Sequence, residues 1–163
     1  MRAMYDFAPA ADADKATLYA DLLSAADALT RDEPDAVANM ANLSALIWQF
    51  LPDLNWAGFY RAIEGELVLG PFVGRPACIR IPMGRGVCGT AASDKATQLV
   101  EDVHAFPGHI ACDGDTQSEL VVPVMRGREA IAVIDLDSPM PARFDREDAS
   151  GIEALAQVLA DRI

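Results

Sequence analysis

Apolar residues recur along this chain with two different periods, and the change from one to the other divides it into three parts. In residues 14–29, Leu18, Leu22, Ala26 and Leu29 fall on one stripe of a 3.6-residue repeat, widened by Tyr19 and Leu23, which predicts an amphipathic helix. A second helix is expected from about Pro34, a good first-turn residue after Asp32 and Glu33. It would carry Val37, Met40, Leu43, Ile47 and Leu51 on one face before Pro52 stops it. A third starts at the capping residue Asp145 and runs to the C-terminus with Ile152, Leu155, Leu159 and Ile163 in phase. Between them, residues 56–63, 66–69, 78–81, 119–125 and 130–136 read as strands. Glu64-Gly65 and Arg126-Gly127 supply the tight turns of two hairpins. Strands grouped between terminal helices indicate an α+β fold, with a central, largely antiparallel sheet on which the N- and C-terminal helices pack.

Composition narrows the function. With 163 residues and 52% hydrophobic content, the chain is long enough for one well-buried core and short for two, so residues 1–163 are expected to form a single domain. Thirteen Lys and Arg against 25 Asp and Glu leave a formal net charge of −12. Such a surface repels phosphate backbones and anionic headgroups, so neither nucleic acid nor a membrane surface is an expected partner. No apolar run approaches the roughly 20 residues of a membrane span, and the opening Met1 to Phe7 lacks a signal-peptide core. A cytoplasmic location is expected. The odd cysteine count argues against a permanent disulfide framework, and the thiols are expected to be free at rest.

Those cysteines, Cys78, Cys88 and Cys112, fall close together, each beside glycine, proline or alanine. Small neighbours leave sulfur accessible, and accessible thiolates react. Residues 82–118 hold Gly84, Gly86, Gly89, Pro107, Gly108 and Gly114, and so long a loop suggests a lid or binding segment. Within it, residues 89–92 suit a helix, which would set Cys88 near a helix N-terminus where the dipole lowers a thiol pKa; tight packing would use the same glycines. As a phosphate loop the spacing is a poor match, lacking the Lys-Ser/Thr pair.

Alternation through the last strand puts Ile131, Val133, Asp135 and Asp137 on one face and Ala130, Ala132, Ile134 and Leu136 on the other. Two carboxylates on one face mark either a strand end in water or a pocket for an ammonium group, and residue statistics favour the first. Glu119, opening the strand before, carries the same ambiguity. His104 and His109 near Cys112 are a conceivable zinc set, but without the short Cys-x2-4-Cys pairs of structural sites they read as loop residues, and no metal is expected.

The strings GPFVGRPACIRIPMGRGVCGTAA, EDVHAFPGHIACDGDTQSELVVPV and VIDLDSP, preceded by NWAGFY at Asn55, closely resemble the free methionine-(R)-sulfoxide reductases, which are built on a GAF domain. All three cysteines and both aspartates occur together within the matching segments. Met83 stands where the family often has phenylalanine, and residues 113–118 are variable. The resemblance implies a GAF-like fold and a redox cycle in which Cys112, as thiolate, attacks the sulfur of free methionine-R-sulfoxide, releases methionine and is left as a sulfenic acid. It further implies that Cys78 resolves this as the expected disulfide partner, that Cys88 assists or substitutes, and that thioredoxin restores the thiols. No bound metal or organic cofactor is needed; thioredoxin, thioredoxin reductase and NADPH form the external reductant. Glu119 and Asp135 or Asp137 are then candidates to protonate the leaving sulfoxide oxygen and to pair with the substrate ammonium. Trp56 and Tyr60, four apart on one strand face, would enclose the substrate methyl group, though ordinary core aromatics would share that spacing. A homodimer is also implied. The competing reading is a GAF module that binds a small ligand or senses redox state without catalysing a reaction.

Overall fold

A computed structural model describes residues 6–163; the start of the opening segment read for a leader, residues 1–5, lies outside them. Six strands form one antiparallel sheet in the order β3-β2-β1-β6-β5-β4. They are β1 Trp56–Ile63, β2 Glu66–Gly74, β3 Arg80–Pro82, β4 Gln98–Val100, β5 Ser118–Arg126 and β6 Glu129–Ser138. The helices are α1 Lys15–Thr30, α2 Ala36–Phe50, α3 Gly86–Asp94 and α4 Arg146–Leu159. None is long and apolar enough to cross a membrane.

Alternation along β1, β5 and β6 sends side chains to two separate cores. Ala57, Phe59, Leu120, Val122, Val124, Ala132, Ile134 and Leu136 meet α1, α2 and α4 on one face. Trp56, Tyr60, Val121 and Val133 meet Val87, Cys88, Ala91 and Ala92 of α3 on the other. The terminal helices thus pack on the sheet as expected, through α2 and α4, while α1 lies against those two helices. Asp14 caps α1 through Thr17 N, and Asp145 caps α4 in a box closed by Asp148.

Several expectations need correction. α2 begins at Ala36 behind the cap Asp35, and Val37 is exposed, because the helix turns Leu46 and Phe50 inward as well. α4 ends at Leu159, although Ile163 still packs against the core. The second hairpin turns at Gly127 and Arg128, since Arg126 pairs with Glu129 and Gly127 takes the positive φ of 60°. β2 runs on to Gly74, and β3 starts two residues later than its apolar pattern suggests. The stretch 82–118 is only partly loop: it folds into α3, the three-residue edge strand β4 and a 3₁₀ turn at Val103–Ala105, elements too short to impose a period. Ile131 leaves the Asp135 face for the helix-side core, because a bulge sets it between the pairs Met125–Ala130 and Val124–Ala132.

Candidate active site

The register of β1, β6 and β5 assembles the acidic residues. Trp56 pairs with Asp137, and Asp137 with Glu119, so these three share a row across the sheet; the next row is Gly58, Asp135 and Val121. Neighbours in a row lie about 5 Å apart, so the three carboxylates crowd one patch. The polar-terminus reading of these aspartates fails: Glu119 and Asp135 are each only 6% exposed, and Asp137 is half-buried.

α3 closes this patch. Gly86 opens it at φ 62°, and a side chain at Gly89 would collide with Pro82 O, so glycine lets the helix start lie against the β3 strand end. Cys88 is thereby driven down onto the carboxylates, with its Sγ 3.9 Å from Glu119 Oε1. The sequence suggested an accessible thiol with a lowered pKa; the structure shows the opposite. Cys88 is 4% exposed, and its pKa is pushed well above the usual value by burial, then by the charges of Asp135 and Glu119. A helix N-terminus is worth about 0.3–1 kcal/mol to a nearby anion, against several kcal/mol for burying one, so burial wins.

The other two cysteines close the pocket from above. Cys78 and Cys112, both half-buried, form a disulfide, so the thiols are not all free as expected. Tyr60 OH donates to Cys78 O at 2.9 Å and Trp56 Nε1 to Arg75 O at 3.2 Å, tying the β2–β3 loop to the aromatic wall. Arg75 in turn pairs with Asp115 at 2.9 Å and Asp113 at 3.5 Å, on the far side of the disulfide. Trp56 and Tyr60 do share a face, their rings stacked at 5.8 Å. Phe72, which sequence reasoning missed, stacks on Trp56 at 5.1 Å. Gly58 permits this, since any side chain there would collide with Phe72.

Burial, then the charges of Asp135 and Asp137, raise Glu119 well above the usual carboxylate range. Burial alone lifts Asp135 to about 6, with hydrogen bonds from Cys88 and Glu119 acting against it. Asp137 is also raised, by loss of water around it and by Asp135 and Asp113. Asp135 Oδ1 has no hydrogen-bond partner among the described residues. The nearest basic group to Glu119 is His109 Nε2, 3.8 Å from Oε2, and burial together with the charge of His104 lowers the His109 pKa. His109 was set aside as a loop residue, although its place three before Cys112 signals proximity to that thiol. His104 is exposed beside Asp102. The pocket is lined by Cys112, Trp56, Tyr60, Cys88, Glu119, Asp135 and Asp137, while Cys78 is not in its lining and is tied to it by the disulfide to Cys112. Its free volume is about 40 Å³ in this disulfide form, room for roughly three waters.

The GAF domain family model matches residues 4–163. Free methionine-R-sulfoxide reductase of Escherichia coli K12 is 48% identical over 90% of this chain and 88% of its own length. The chain belongs to the free methionine-R-sulfoxide reductase family of GAF domains. The family's yeast reductase, from Saccharomyces cerevisiae, is 44% identical over 90% of this chain and 86% of its own. The X-ray structure of free methionine-R-sulfoxide reductase from Neisseria meningitidis in complex with its substrate superposes with a TM-score of 0.93. It is 43% identical and covers 98% of this chain and 95% of that one. The expected α+β GAF fold is therefore the observed one.

Proposed function

We propose that this chain reduces free methionine-R-sulfoxide to methionine through Cys112, and one observation carries the reading: the Cys78–Cys112 disulfide sits at the mouth of a pocket floored by raised carboxyl groups. In the reduced chain the Cys112 thiolate attacks the sulfoxide sulfur. Glu119, held protonated by its surroundings, gives its proton to the sulfoxide oxygen as the S–O bond of the substrate breaks. The hydroxyl so formed passes to the Cys112 sulfur as the bond between the two sulfurs breaks, so methionine leaves as the sulfide and Cys112 is left as a sulfenic acid. Cys78 then attacks that sulfur, the oxygen departs as water, and the disulfide forms. Substrate sulfur gains two electrons and the two cysteines lose them. A dithiol of the thioredoxin class restores them by thiol–disulfide exchange.

Specificity follows from the floor. Asp135, with a buried oxygen unpaired among the described residues, and Asp137 beside it can accept the substrate ammonium, while Trp56 and Tyr60 face its methyl group. A peptide-bound methionine sulfoxide has no such ammonium and would leave the carboxylates unpaired. A cytoplasmic location and a homodimer belong to the same reading, by resemblance.

The test is release of methionine from each epimer with thioredoxin, thioredoxin reductase and NADPH, following NADPH loss. Turnover confined to the free R epimer is expected. Cys112→Ser should release no methionine even in a single turnover, whereas Cys78→Ser should complete the first turnover and fail to recycle unless Cys88 substitutes. No turnover in protein with three reduced thiols would move the assignment to a ligand-binding GAF module.

A further inference from the structure

The pocket floor brings a thiol and two carboxylates close enough together to share one ion. Cys88 Sγ and carboxylate oxygens of Glu119 and Asp135 all lie within 4.8 Å of one another, and all three residues are buried. They come from α3, β5 and β6, so the backbone holds them in place. Burying two carboxylates and a thiol together is unfavourable without a cation, yet among the described residues neither carboxylate pairs with a lysine or arginine. Asp135 lines the cavity, and its buried Oδ1 has no hydrogen-bond partner among the described residues.

The chemistry of the set selects the ion. Magnesium and calcium take oxygen alone, whereas zinc accepts thiolate, imidazole and carboxylate together. With zinc–sulfur and zinc–oxygen bonds of about 2.3 and 2.0–2.2 Å, a sulfur and an oxygen on one tetrahedral ion sit roughly 3.5 Å apart. Cys88 Sγ and Glu119 Oε1, at 3.9 Å, need only a few tenths of an ångström each. His109 Nε2 lies 3.8 Å from the other Glu119 oxygen.

We propose that the floor of this pocket is a Zn²⁺ site, with Cys88, Glu119 and Asp135 as ligands and a fourth position open to water. Zn²⁺ takes the deprotonated forms of its ligands, so binding releases the protons those groups hold. Metal binding does not rest on the reductase reading. Its consequence does: an ion holding Glu119 and Asp135 leaves neither for substrate, which makes Zn²⁺ an inhibitor.

The disulfide form provides a clean test, because with Cys78 and Cys112 joined, Cys88 is the free cysteine left of three. Titration of the oxidised, full-length protein with Co²⁺ should give one equivalent bound, with a sulfur-to-cobalt charge-transfer band in the near ultraviolet and strong tetrahedral bands in the visible, both bleached by Zn²⁺. Wild-type protein alone decides the matter, since any such band must come from Cys88; its absence with excess Co²⁺ would overturn the proposal. In variants that keep the wild-type circular dichroism, Cys88→Ser should lose the band, and Asp135→Asn should weaken Co²⁺ binding by on the order of 10–100-fold. Unchanged binding in both variants would also overturn it. Bands without sulfoxide turnover would uphold the metal site and sink the reductase reading, and turnover without bands would do the reverse.

Discussion

Two clusters of buried acid lie on opposite faces of the same sheet, and they are built on opposite plans. On the helix side, Asp148 is 1% exposed and every side of its carboxylate is engaged. It accepts from Tyr19 OH at 2.7 Å, Lys15 Nζ at 2.7 Å, Asp145 N at 2.9 Å and Arg143 Nη1 at 3.4 Å. On the α3 side, Asp135 is 6% exposed, yet one of its oxygens meets no donor among the described residues, and its neighbours are a second carboxylate and a thiol. Burial is nearly equal; pairing is not. The first cluster joins α1 to α4 and serves the fold. The second holds unfavourable electrostatics that a cationic ligand would relieve, which is the mark of a site maintained for binding rather than for stability.

That contrast is tested most severely by chemistry. Glu119→Gln keeps the shape of the floor but removes its proton donor, and single-turnover methionine release should slow about 10²–10⁴-fold with little change in unfolding temperature. A wild-type rate would show that the proton comes from elsewhere. Asp148→Asn should do the converse. Breaking a buried, paired carboxylate costs 3–5 kcal/mol, and since Lys15 stays a third exposed we expect the low end, about 3 kcal/mol or roughly 6–12 °C in thermal unfolding. Methionine release in that variant should persist at temperatures where it remains folded. A loss of under about 1 kcal/mol would mean that the four partners contribute little and that the two clusters differ less than their geometry suggests.

Asp135→Asn should shift stability in the other direction. The folded-state pKa of Asp135 is raised to about 6, so between about pH 4 and pH 6 the native protein binds more protons than the unfolded chain. Stability in wild type therefore falls as pH rises through that window and stays lower above it. Asparagine carries no such charge, so above about pH 6 the variant should be more stable by about 1–3 kcal/mol, with the difference vanishing below about pH 4. Chemical denaturation at several pH values reads this directly, and a variant less stable than wild type at neutral pH would contradict it. The smallest effect is expected at Trp56→Phe, which changes no carboxyl group but removes the hydrogen bond to Arg75 O. A loss of about 1 kcal/mol, with a few-fold rise in KM, should follow; an unchanged KM would place the indole outside the substrate's reach.

How much of this was legible in the sequence differs between the two clusters as well. Asp145 was recognised as a helix cap because capping is local: its side chain reaches only to residues 147 and 148. Asp148 passed unnoticed, since its partners Tyr19 and Lys15 lie 129 and 133 residues away. On the other face, the alternation through β6 correctly set Asp135 and Asp137 on one side of the sheet, while the statistics of strand ends pointed wrongly to solvent. What overturned those statistics is α3, whose nine residues are too few to show a helical period and whose packing depends on Gly86 and Gly89.

By itself, then, the chain determined what depends on neighbours in sequence: the long helices, the two hairpins, the face each carboxylate takes, and the cysteine-rich strings that mark its family. Cap, period and turn are local, with ranges of a few residues. Tertiary structure alone decided whether each ionisable group keeps water and a counter-charge. That choice raised Cys88 where helix position would have lowered it, drew His109 to Glu119, joined Cys78 to Cys112 across 34 residues, and left one oxygen of Asp135 without a partner among the described residues. The physical reason is that desolvation and Coulomb energies depend on distance in space, and at this pocket the groups that meet come from five separate segments of the chain.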